Sequence, residues 1–205
     1  MRFARSGDDV HRCQQLRHRC FVEDAGGRDR NGGIETDKFD WLCDHIMVEN
    51  WVGALVCSYR LMSIPSGAAI KASYSAQYYN LERLSHYPAP MLELGLFCVV
   101  PDVRDPDVLW IAWGMLVAIV DARSVGLLFV CSSFVCKGAA IYGQAFDLLT
   151  QRHQAPDQWH PDVKAPQVVE FRKNAQAVTD REMLGHSAAM AQVPMLLTTF
   201  LAMGG

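Results

Sequence analysis

An apolar strand pattern over residues 91–100, an almost uninterrupted apolar helix pattern over 107–124 and a second apolar strand pattern over 126–135 follow one another with little between them. That order constrains the fold more than any other feature of the chain. Two strands joined through a helix lie parallel and cross over with a right hand, which makes this half of the molecule an α/β unit. The run over 108–120 is bounded by Asp107 and Asp121 and falls short of the ~20 residues that span a bilayer, so it is a buried helix or a membrane-surface element. Inside the first strand sits one charge, Glu93, which is costly there unless it is paired or put to use.

Around this unit the pattern is that of one soluble domain. The 205 residues are 50% hydrophobic and 20% charged, which excludes intrinsic disorder and provides for a core without staples. A formal charge of −3 argues against a nucleic-acid partner held by general electrostatics. Seven cysteines, an odd number scattered through apolar stretches, and an N-terminus without the apolar core of a signal peptide point to a reducing cytoplasm and free thiols.

Residues 8–22 carry Val10, Cys13, Leu16, Cys20 and Phe21 at helical spacing, with Asp8 or Asp9 as N-cap. Residues 24–40 are glycine-rich and charged and read as a long loop of the kind that exists for function or is mobile, the first place to look for a site. Two apolar runs on either side of Glu49-Asn50-Trp51 predict a hairpin. A short helix is expected near 80–84, a helix over 138–151, a short strand near Val163 or Val168, and a helix over 182–203 kinked near Pro194.

The acids Glu35, Asp37 and Asp40 stand beside Phe39 and Trp41. They are either a solvated loop with helix-capping acids, or partners of the arginines in residues 12–19 in an ion-pair network that shapes a pocket or holds an amine. The twelve-residue calcium pattern is missing, and Cys131, Cys136 and His153 lack metal-ligand spacing. No nucleophile elbow surrounds Ser132 and Ser133, which favours a structural or backbone-binding role for them, and His45 reads as a satisfied core residue.

Several segments, in order, resemble the acyl-carrier-protein-dependent N-acyltransferases of the GNAT superfamily, which include acyl-homoserine-lactone synthases and ornithine N-acyltransferases. They are Leu16-Arg17-His18-Arg19-Cys20-Phe21-Val22-Glu23, Glu35-x-Asp37-x-x-Asp40, Cys43-Asp44-His45-Ile46-Met47-Val48, Ser58-Tyr59-Arg60-Leu61-Met62, Leu92-Glu93-Leu94-Gly95 and Val130-Cys131-Ser132-Ser133-Phe134. The Cys-Asp-His and Ser-Phe segments, and the lack of a tryptophan after Phe21, favour the ornithine branch. The resemblance implies a single α/β domain over residues 1–205 with the GNAT fold, a central mixed sheet flanked by helices, and a cytoplasmic enzyme that works without metal or cofactor beyond its acyl thioester. It also implies transfer of a long-chain, 3-hydroxy acyl group to the α-amino group of an amino acid, ornithine first, as the opening step of aminolipid synthesis. An amphipathic product would suit peripheral contact with the inner membrane.

By the same resemblance Glu93 is the expected base, directly or through water, with Arg17 and Arg60 pairing with Glu35, Asp37, Asp40 or Glu93. The backbone of Phe97, Cys98 and Val99 would hold the thioester carbonyl, and Phe21, Ser132, Ser133 and Phe134 complete the expected substrate-binding set. The family's pyrophosphate loop is replaced by Val99-Val100-Pro101-Asp102-Val103-Arg104, so an acyl carrier protein is expected as donor over acyl-CoA. Arg104, Arg123, Lys137 and Arg152 are the candidate docking patch for that acidic partner.

Two departures stand out. Leu96 occupies the place of an arginine, and the chain ends at Gly204-Gly205 where relatives continue through further strands. The alternatives they motivate or leave open are a lactone-type signal synthase using S-adenosylmethionine and a catalytically silent acyl-binding homologue.

Overall fold

The hairpin expected from residues 43–62 forms as strands β2 (Asp44–Glu49) and β3 (Leu55–Ile64), turned by Asn50, whose side chain accepts hydrogen bonds from the Val52 and Ala54 N–H groups. This computed structural model describes residues 1–205 except 24–25, 28–31, 104, 106, 135–137, 170–188 and 203–205. The described chain forms two compact units, Met1–Ala76 with Ser85–Val130, and Gln77–Leu84 with Cys131–Gly205.

The first unit holds a five-stranded sheet. Strand β1 (Arg2–Phe3) pairs antiparallel with β2, β2 with β3, and β3 with β5 (Met91–Val99), while β5 pairs parallel with β6 (Leu127–Val130) at the far edge. The parallel pair is joined by helix α2 (Asp107–Ala122), as the order of apolar patterns predicts. Helix α1 (Gly7–His18) buries Asp9, Cys13, Leu16 and Arg17, a spacing of three and four residues that makes one face. Its N-cap is Ser6, whose hydroxyl accepts the Asp9 N–H at 3.2 Å, and not Asp8 or Asp9. Asp9 is instead drawn into the bond that ties β1 to α1, accepting both terminal guanidinium nitrogens of Arg2 at 2.6 and 2.7 Å. Beyond His18 the helix widens into a π-turn, Arg19–Glu23.

Helices α1 and α2 serve opposite faces of the sheet. Tyr59 donates its hydroxyl to the Ala112 carbonyl on α2 at 2.9 Å, and neighbouring side chains on a strand point oppositely, so Arg60 faces the α1 side. One irregularity re-aims the strand that matters most. Ser58 lies opposite Cys98 but Arg60 opposite Gly95, so Tyr59 faces an extra residue, and there Leu96 takes a left-handed φ of 50°. The bulge turns Phe97 to the α2 face, where it stacks on Tyr59 and Trp113 at 5.3 and 5.7 Å between ring centres.

The parallel strand is shorter than its apolar pattern over 126–135. Pairing with β5 ends at Leu94 opposite Val130, just before the bulge. Gly126 is packed tightly at the start of this strand, since a Cβ there would meet the Ala89 Cβ at 2.6 Å.

In the second unit strand β4 (Tyr79–Asn80) pairs antiparallel with β7 (Asp162–Val163), and Arg83 binds Asp162 through Nε and Nη2. The short helix expected near 80–84 is a 3₁₀ turn at Glu82–His86. The 138–151 pattern resolves into a 3₁₀ turn (Ala139–Tyr142) and helix α3 (Gly143–Arg152). Of the helix expected over 182–203, residues 182–188 and 203 lie outside the described residues, and α4 (Met195–Ala202) starts after Pro194 where a kink was expected. Pro194 supplies its carbonyl to the Thr198 N–H at 2.9 Å, and a proline at a helix start sacrifices no bond.

Candidate active site

The acidic segment and the two arginines form one buried network. Asp40 accepts Nη1 and Nη2 of Arg17 at 2.7 and 2.9 Å, Nη1 of Arg60 at 3.0 Å, and the side chains of Gln14 and Thr36 at 3.0 and 3.1 Å. Asp37 accepts Nη1 and Nη2 of Arg60 at 2.6 and 2.7 Å, and its Oδ1 also takes the Phe39 N–H. The elements supply these groups for plain reasons. Arg17 lies one turn beyond Cys13 on the buried face of α1, Asp40 opens a 3₁₀ turn, and Arg60 crosses Gly95, where a Cβ would stand 3.3 Å from its Nε. Arg17 and Arg60 are 2% and 3% exposed, whereas the Asp37 side chain keeps 31% of its surface in solvent. Among the described residues the buried Arg17 Nε has no hydrogen-bond partner, so packing has fixed this side chain at some cost.

Of the pairings open to Arg17 and Arg60, the structure selects Asp37 and Asp40. Among the described residues neither Glu35 nor Glu93 forms an ion pair with them. The half-buried Glu35 is tied by its backbone N–H to the Gln14 carbonyl. Charge within the network closes with two arginines against two aspartates, which leaves no unpaired acid in it for an arginine at position 96 to neutralise.

Burial alone would raise the Asp40 carboxyl, but the Arg17 guanidinium, with Gln14 and Thr36, holds it well below the usual carboxylate range. A carboxylate depressed in the folded state stabilises it fully above its unfolded pKa, about 3.9, and that contribution fades as pH falls toward the folded value. Acid titration of folding stability is therefore expected to show a loss below about pH 4 that is smaller in Asp40→Asn; identical acid slopes in both proteins would contradict it.

Glu93 is 3% exposed and faces the same side as Arg60. Its Oε2 accepts the Tyr74 N–H at 2.7 Å, and its Oε1 accepts the Ser75 N–H and hydroxyl at 2.7 and 2.5 Å. Two residues along, β5 leaves β6 behind and runs on to Val99, with no strand on that edge past Leu94 among the described residues. The Val100 N–H donates to the Val56 carbonyl on β3 at 2.9 Å. By alternation the N–H groups of Phe97 and Val99 point to the open edge, where a carbonyl oxygen can meet them. The π-turn borders this place: the Cys20 thiol donates to the Val99 carbonyl at 3.4 Å, and Arg19 reaches Asp102 at 2.7 Å. Cys98 points to the other side of β5 from Phe97 and donates to the Ser58 carbonyl.

The remaining expected residues fall as follows. Phe21 is exposed on the π-turn. Ser132, Ser133 and Phe134 belong to the second unit, where Phe134 packs edge-on against Tyr142 and Phe146 at 5.0 and 4.9 Å. Arg123 is engaged by Asp44 at 2.7 Å and Ser63 at 2.8 Å in the first unit, and exposed Arg152 ends α3 in the second. Arg104 and Lys137 lie outside the described residues, as does Cys136.

His45 is the core residue expected, its Nε2 bonded to the Asp40 backbone carbonyl at 2.9 Å and its pKa lowered by burial. Burial pushes the thiol of the core residue Cys57 up to about 12 and that of the half-buried Cys43 up to about 11. The sequence reading missed Tyr74 and Ser75, because a Ser/Tyr/Ala-rich stretch without periodicity carries no sign of what its backbone will bind.

A family model described as "Acetyltransferase (GNAT) domain" matches residues 16–114. The chain is similar to an "L-ornithine N(alpha)-acyltransferase" of Rhodobacter capsulatus, 30% identical with 100% of this chain and 80% of the relative covered. A protein of the same description from Brucella abortus is 29% identical, with 100% and 75% covered. Among solved structures, a ribosomal-protein-alanine N-acetyltransferase of Brucella melitensis biovar Abortus aligns with a TM-score of 0.46 at 14% identity, over 83% of this chain and 100% of that one.

Proposed function

The chain belongs to the family of L-ornithine N(alpha)-acyltransferases, and from that premise we propose that it transfers a long-chain, 3-hydroxy acyl group from a thioester to the α-amino group of ornithine. The fold is that of the GNAT acyltransferases. The observation that carries the proposal is the edge of β5 past Leu94, on which no strand lies among the described residues, on the strand that also bears Glu93 and gives Arg60 its space at Gly95.

In this reading the thioester carbonyl lies at that edge. The N–H groups of Phe97 and Val99 polarise it and then stabilise the oxyanion as the amine adds. The amine attacks as the neutral base, the C–N bond forms, and collapse breaks the C–S bond. The proton shed by nitrogen passes to Glu93 through water and on to the departing thiolate. Water is required because Glu93 is buried and both its oxygens already accept hydrogen bonds. The acceptor amine approaches from the solvent side of Asp37, whose position is set by Arg60.

The closed charge balance of the Arg17, Arg60, Asp37 and Asp40 network favours an active enzyme despite Leu96. The same reading treats residues 1–205 as a single N-acyltransferase domain in the cytoplasm, using acyl carrier protein as donor, and its amphipathic product suits peripheral contact with the inner membrane. Among the described residues no helix is long and apolar enough to cross a membrane. Purified protein incubated with ornithine and 3-hydroxyacyl carrier protein is expected to yield N-acylornithine and free carrier thiol by mass spectrometry. An acyl load that stays on the carrier would sink the proposal.

A further inference from the structure

We propose that Tyr74, a residue with no part in the chemistry above, is a positioning residue that fixes Arg60 and through it presents Asp37 to the acceptor amine. The inference rests on the functional reading just given, in which an amine meets Asp37.

Arg60 is a long side chain confined on every side. Asp37 and Asp40 hold its nitrogens, Gly95 leaves room for its stem, and two aromatic rings flank its guanidinium, Phe39 at 5.7 Å and Tyr74 at 5.6 Å from ring centre to Cζ. The two rings meet edge to face at 5.5 Å. They differ in origin. Phe39 arrives with the acids, since its own N–H is bonded to Asp37, whereas Tyr74 comes from a separate segment, between the 3₁₀ turns Gly67–Ala72 and Ser75–Gln77.

What brings Tyr74 there is Glu93. The carboxylate captures the N–H groups of both Tyr74 and Ser75, and the Ser75 hydroxyl as well. Glu93 and Gly95 stand two apart on β5, opposite Met62 and Arg60 on β3, so the residue that anchors the turn and the arginine that the turn covers are neighbours on paired strands. A cation between two rings gains when the site is shielded from water, as Arg60 is at 3% exposure. Without the Tyr74 ring the guanidinium has freedom to swing toward solvent, and Asp37 loses the bidentate partner that orients it. The reacting carbonyl and its N–H donors on β5 are not touched by this change. The effect therefore falls on acceptor binding.

The test is steady-state kinetics of Tyr74→Leu, Tyr74→Phe, Asp37→Asn and the Tyr74→Leu/Asp37→Asn double variant, varying ornithine at saturating acyl carrier protein and the reverse. Tyr74→Leu is expected to raise the KM for ornithine about tenfold, the size of a shielded cation–π contact, with kcat and the donor KM nearly unchanged. Tyr74→Phe keeps the ring and has a KM for ornithine well below that of Tyr74→Leu. The double variant is no worse than Asp37→Asn alone, because both remove the same presentation. Where leucine compromises folding, Tyr74→Met keeps the bulk without the ring. An unmoved KM in the ringless variants, or a Tyr74→Phe as impaired as they are, overturns the proposal while ornithine turnover by the wild type keeps the functional reading intact. A wild type that acylates no amino acid sinks that reading and this proposal with it.

Discussion

Replacing Arg17 with methionine is expected to lower folding stability by about 3–5 kcal/mol, the usual result of removing one partner from a buried ion pair. Arg17 is 2% exposed and gives both terminal nitrogens to Asp40, so the substitution strands a carboxylate left with Arg60 Nη1, Gln14, Thr36 and the Asp37 N–H. The loss follows from the stranded charge more than from the vanished attraction. Leucine at position 40 in the Arg17→Met background should therefore restore part of the stability, since two apolar groups replace two ions without leaving either alone. Denaturant unfolding of the three proteins measures both statements. A loss below about 1 kcal/mol in Arg17→Met, the range of exposed pairs, would mean that the network is far more hydrated than its burial indicates.

The second large effect is on turnover. Glu93→Gln is expected to reduce kcat by about 10²–10⁴-fold, the contribution of a positioned general base. It should also raise the KM for ornithine. Glutamine keeps one accepting oxygen but turns an NH₂ toward a donor that Glu93 now accepts, either the Tyr74 N–H or the Ser75 pair, and the turn under Arg60 loosens. Steady-state rates with ornithine varied separate the two consequences, one in kcat and the other in KM. A Glu93→Gln enzyme with kcat within about threefold of wild type would remove Glu93 from proton transfer and leave it only its anchoring bonds.

The large elements of this protein are readable in its sequence because each carries an apolar run or an apolar face. The apolar runs of β5, α2 and β6 dictate a parallel pair joined through a helix, and two apolar runs on either side of a turn dictate the β2–β3 hairpin. The site is readable in composition but not in pairing. Arginines at 17 and 60 facing acids at 35, 37, 40 and 93 allow several networks, and the choice of Asp37 and Asp40 depends on the bulge and on which side of β3 Arg60 emerges.

Three features leave no periodic trace. The left-handed turn at Leu96 is not signalled by a residue type that favours it, the π-turn at Arg19–Glu23 reads as more helix, and the capture of Tyr74 by Glu93 joins a coil segment to a strand nineteen residues away. Glu93 itself was visible as an anomaly, a lone acid in an apolar strand. Its hydrogen-bond partners were not, because backbone N–H groups belong to every sequence.

The central claim is that this protein places an acyl group on the α-nitrogen of ornithine, and the most direct measurement is acceptor competition. An equimolar pool of amino acids is offered with 3-hydroxyacyl carrier protein, and tandem mass spectrometry identifies each N-acyl product and the nitrogen that carries the acyl group. The account predicts ornithine acylated at the α-nitrogen as the dominant product, and its disappearance in Glu93→Gln. Acylation at the side-chain nitrogen, a lactone released from S-adenosylmethionine, or a carrier protein that binds and keeps its acyl group would contradict it.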